Sequence, residues 1–146
     1  MDLLEAQAFW TLGMLPREKI PAIAQRALER GMDDPSLRIL AGLTNAELDE
    51  ATPLFEKTVN SMGIRKLSKQ EALDICADCL SRRILDGAIS PYDGAKQIFR
   101  ASVEVEGRNH DVDPFIYAAD EYEDRPEDRG FFEAAIVLEA KRRLGR

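Results

Sequence analysis

The chain has 146 residues, 45% of them hydrophobic and 32% charged, a size and mix that suit one globular domain with its own core and exclude a disordered chain. Its formal net charge is −7, and no cluster of Lys and Arg with interleaved aromatics offsets that sign, so nucleic-acid phosphates are a disfavoured ligand. No apolar run approaches the roughly 18 to 20 residues that span a bilayer, the opening MDLLEAQAFW has acids where a secretory leader needs bases, and the cysteines are too few for a disulfide framework; the expectation is a cytoplasmic protein with no membrane partner.

Helix punctuation then recurs along the chain, and strand signals are absent. Asp2 is placed to cap a first helix through Met14, with Leu3, Ala6, Phe9 and Trp10 as its apolar face, and Pro16 ends it. Pro21 suits the first turn of a second helix, which Gly31 stops. Asp34-Pro35 opens a third, ending near Gly42. Thr44 and Glu47 form a capping box for a fourth, which Pro53 either restarts or kinks. Ser68 and Glu71 make another capping box at the head of the clearest helix, Lys69 to Asp86, closed by Gly87. Ser90-Pro91 caps the next, to Val105; Asp113-Pro114 caps another, to Asp124; Pro126 opens the last. These signals predict an all-α fold of about seven or eight helices packed as one irregular bundle over residues 1–146. Leu73, Cys76, Leu80, Ile84, Phe99, Phe131 and Leu138 are its expected core.

Three segments, DDPSLRILAGL, DGAISPYDGAKQIF and PFIYAADEYEDRPEDR, in this order, resemble a family of small all-helical bacterial proteins of uncharacterised function. The resemblance covers about the last three-quarters of the chain. It implies the helical fold and carries no catalytic, binding or cofactor residue with it.

Motifs that carry chemistry are few. Cys76 and Cys79 form a CxxC, but they sit mid-helix, far from the N-terminal dipole that would lower a thiol pKa, and one distant histidine cannot complete a four-ligand zinc site. Buried thiols are the reading. In NHDVDPFIYAAD, four oxygen-bearing residues match calcium-loop positions, yet Pro114 occupies the place of the turn glycine. His110, Asp111 and Asp113 remain as an alternative divalent-metal site serving a metal-dependent enzyme. Neither GxGxxG nor GxxxxGK[ST] occurs, and no nucleophile elbow accompanies the single histidine, so catalysis is not indicated and no cofactor is expected. Arg83 falls within the apolar arc of its helix; it either snorkels outward or pairs with a carboxylate.

The charge itself is local. Residues 104–133 hold 11 acidic and three basic side chains, leaving 16 acidic and 17 basic elsewhere, so the whole excess lies in this one stretch. On the helix from Pro114, Phe115, Ala119 and Tyr122 share the expected inner face, which turns Asp120, Glu121, Glu123 and Asp124 outward beside Tyr117. Carboxylates around an aromatic supply both field and contact area for a basic protein. The expectation is a protein-binding module, of which a neutraliser of a basic toxin, in the style of an immunity protein, is one form. Its rivals are the metal-dependent enzyme and a structural subunit of a homo-oligomer.

Overall fold

Polar residues that precede apolar runs become helix starts. In the computed structural model, which describes residues 1–146, eight α-helices and three 3₁₀ segments form with no strand. The chain divides into two compact units, Met1–Ser68 and Lys69–Arg146. No helix is long and apolar enough to cross a membrane.

The first unit holds α1 (Leu3–Thr11), α2 (Ile20–Glu29), α3 (Pro35–Ala41) and α4 (Ala51–Ser61). Asp2 caps α1 reciprocally with Glu5: the Glu5 N–H donates to its carboxylate at 2.8 Å, while the Asp2 N–H donates back to Glu5 at 3.1 Å. The core of this unit gathers Leu3, Ile20, Ile23, Leu37, Leu40 and Phe55, all buried. Thr44 and Glu47 do form the expected capping box, but the six residues after it, Asn45–Glu50, wind as 3₁₀ rather than α. α4 begins only at Ala51, which puts Pro53 in its first turn, where a missing N–H leaves no intrahelical bond unmade.

The second unit is a four-helix bundle of α5 (Lys69–Leu85), α6 (Pro91–Val103), α7 (Asp113–Asp124) and α8 (Arg129–Arg143). Each helix packs on the next, and α8 closes the ring on α5. Leu73, Cys76, Leu80 and Ile84 form the inner stripe of α5, as expected, and Cys79 is buried beside them. Phe99 is only half-buried. Gly94 on α6 faces Ile84 of α5: a methyl group there would sit 2.6 Å from both Cγ1 and Cδ1 of Ile84.

Arg83 is half-buried and enters no ion pair, in line with snorkelling. The cation that does turn inward is Arg143, at the end of α8, with its side chain 13% exposed. Its Nε donates to Asp78 at 2.7 Å and its guanidinium also donates to the Asp74 carbonyl at 3.2 Å, so the last turn of α8 is tied to the middle of α5. Sequence patterning misses this residue because a basic side chain in a last turn already has a sufficient reason to be there, the helix dipole.

Candidate partner-binding groove

α7 and α8 are joined by a short 3₁₀ turn, Pro126–Asp128, and pack as an antiparallel pair. The start of α7 differs from expectation in one detail. Val112, not Asp113, is the N-cap, and Asp113 is the first helical residue. Its carboxylate turns back to the loop, accepting from Arg108 at 2.7 Å and meeting His110 Nδ1 at 2.8 Å. Both partners hold the Asp113 carboxyl below its usual range, the Arg108 hydrogen bond most of all. Asn109 spends its side-chain oxygen on the Asp111 N–H at 3.2 Å, so the loop polar groups largely serve one another. His110 and Asp111 stay exposed, and no group of three or more His, Cys, Asp or Glu side chains is placed to hold a metal ion.

The inner face of α7 is Phe115, Ala118 and Ala119, with Ile116 and Tyr122 half-buried at its edges. Tyr117 points away, 64% exposed. Of the acidic residues expected beside it, Asp120 and Asp124 are exposed and enter no ion pair, whereas Glu121 pairs with Arg125 one turn on, at 3.1 Å. Glu123 is engaged across the bundle: it accepts from Lys96 of α6 at 2.8 Å and from the Tyr92 hydroxyl, while Tyr92 stacks on Tyr122 with ring centroids 4.5 Å apart. Arg129 covers Tyr122 from the α8 side at 4.7 Å. Two of the four carboxylates are thus structural ties, and two are open.

α8 corrects the expected core. Phe131 and Leu138, expected inside, are 71% and 67% exposed; Phe132, Ile136 and Ala140 are buried in their place. The helix carries two apolar stripes, one at 132, 136, 140 and one at 131, 135, 138, with midlines about 130° apart. Periodicity alone ranks them equally. Packing selects the first, since it continues to Arg143 and the Asp78 tie on α5.

The outer stripe is consequently left beside Tyr117, and the two helices bound a groove of about 270 Å³ lined by Pro114, Tyr117, Phe131, Ala135 and Leu138. Three of the chain's six exposed large hydrophobic residues meet along it. Its ends differ in charge. Where α7 ends and α8 begins, Asp124, Glu127 and Asp128 are exposed and unpaired. At the opposite end Arg142, 79% exposed and 3.9 Å from Glu139, borders both the groove and a wider polar depression of about 540 Å³ that also takes in Asp78, His110 and Asp111.

These features define a helical protein with an apolar groove edged by acid at one end. No family model matches the chain, and no curated protein or solved structure matches it either.

The divided roles of the acidic residues lead to a direct prediction. Glu123→Gln should lower the thermal midpoint at neutral pH, whereas Asp120→Asn with Asp124→Asn should leave it nearly unchanged. The Glu123 carboxyl is held below its ordinary value of 4.5, by the Lys96 hydrogen bond first and Tyr92 second. A depressed carboxyl stabilises the fold above its unfolded pKa and loses that contribution as pH falls through the lower, folded value. The gap between wild type and Glu123→Gln should therefore be full at neutral pH and close below 4.5. A gap that stays constant through that range, in melts followed by circular dichroism, contradicts the tie.

Proposed function

We propose that the protein acts by binding another protein through the α7–α8 groove, with the acidic border favouring a basic partner. The observation that carries this reading is the second apolar stripe of α8: Phe131 stays exposed although the bundle face lies one residue away at Phe132, and Leu138 stays exposed two residues from Ile136 and Ala140. Burying a side chain of that size is worth about 1.5–3 kcal/mol, so two left in water on one groove constitute a surface that gains by being covered. The open carboxylates Asp120 and Asp124 add a negative field that speeds encounter with a positive surface without being needed for folding. A basic toxin, neutralised in the manner of an immunity protein, is a partner of this kind.

The reading is tested with wild type and Phe131→Asp as paired baits, both first checked for the same melting curve. A basic protein retained by wild type, released by raised salt and lost from Phe131→Asp is the expected result. Equal retention by both baits overturns the groove as the contact. A dimeric mass in solution that becomes monomeric in Phe131→Asp replaces the foreign partner with a second copy of this chain.

A further inference from the structure

Resting on that reading, we infer that the groove has a direction: it accepts an amphipathic α-helix lying along α8 with cationic residues in its first turn over Asp124, Glu127 and Asp128, and an acidic last turn at Arg142. The argument combines shape and charge. The lining runs from Phe131 to Arg142, about 16 Å of α8, which three turns of a partner helix would cover and four would overrun onto the acidic turn. The groove walls are two helices with small residues, Ala118 and Ala135, between larger ones, which admits a third helix with its apolar residues three and four positions apart.

The ends differ in charge: in the α7–α8 turn Asp124, Glu127 and Asp128 outnumber the cations, of which Arg125 is paired with Glu121 and Arg129 lies over Tyr122, while the other end offers Arg142, with Glu139 beside it and Asp111 in the adjoining depression. Asp124 lies on the same line of α7 as Tyr117, two turns further on, and Glu127 and Asp128 occupy the turn immediately before Phe131. None of these three is in an ion pair. Arg142 has only a long contact, 3.9 Å, with Glu139. A helix presents partial positive charge at its N-terminus and negative at its C-terminus, so the same direction that places its cations over the acidic end also aims its terminal carbonyls at Arg142. The reverse direction sets terminal carbonyls and acidic side chains against the acidic turn.

Two synthetic peptides test this, each about 14 residues long, or four turns. Each carries leucines at three- and four-residue spacing and is held helical by the same side-chain staple. One has lysines in its first turn and glutamates in its last; the other has these exchanged. The staple removes the difference in intrinsic helicity that the charge placement would otherwise introduce. By fluorescence anisotropy at low salt, the first peptide should bind about tenfold tighter than the second, a preference that Arg142→Glu reduces and Phe131→Asp abolishes together with binding. Equal affinities for the two peptides, both lost in Phe131→Asp, overturn the direction and leave the groove standing. Binding of either peptide that Phe131→Asp does not weaken, or no binding of either, overturns the direction and the groove together.

Discussion

Phe132→Ala should destabilise the α5–α8 unit by about 3–5 kcal/mol, while Phe131→Ala, one residue earlier, should change it by no more than about 0.5 kcal/mol. The two side chains are chemically identical and touch edge to face, with centroids 5.1 Å apart. They differ in where the helix rotation sends them. Phe132 is 4% exposed and continues a stripe through Ile136 and Ala140, whereas Phe131 is 71% exposed on the groove. Removing the first ring takes apolar area out of the interior and leaves a cavity that neighbouring helices fill only in part. Removing the second exposes little that was not already wet. Urea unfolding followed by circular dichroism measures both, and equal losses for the two variants would mean that α8 does not turn Phe132 alone toward the interior. Should both be stable, Phe132 is not in the core.

Much of the fold was legible because it is written in local chemistry. Capping pairs such as Asp2 with Glu5, and Asp or Ser followed by Pro, declare a helix start with a handful of atoms, and those starts fall within a few residues of the observed ones. The stripe on α5 was legible for a similar reason, since only one arc of that helix is apolar. Sequence reasoning failed where two arcs competed. On α8, Phe131 and Phe132 are equally good candidates, and the choice depends on α5, α6 and α7, which no window of the sequence contains. The same holds for the acidic residues of α7: Asp120 and Glu123 look alike in the sequence, yet Glu123 is claimed by Lys96 and Tyr92, more than 25 positions away. What marks the groove is therefore the leftover of packing, the apolar stripe and the carboxylates of Asp124, Glu127 and Asp128 that no ion pair holds.

Gly94→Ala should cost the same unit about 0.5–2 kcal/mol, although alanine is the better helix former and an exposed helical glycine would gain about 0.5–1 kcal/mol from the change. The reason is the approach of α5. An added methyl would meet Cγ1 and Cδ1 of Ile84 at 2.6 Å, well inside van der Waals contact, and Ile84 is itself 5% exposed and enclosed. Either the isoleucine leaves its rotamer or the two helices separate, and overpacking of this kind costs about 1–3 kcal/mol before the gain in helix propensity is set against it. Separation would carry further, because Lys96 is two residues along α6 and holds Glu123 on α7. Ile84→Ala removes the atoms that clash but leaves a cavity, at about 2–5 kcal/mol on its own. If the close approach is the cause, the two substitutions together should cost less than their sum by about 1 kcal/mol or more, the methyl introduced by Gly94→Ala filling space that the isoleucine vacated. Additive losses in a double-mutant cycle, measured by chemical denaturation, would place the origin of the Gly94 effect elsewhere than in its contact with α5.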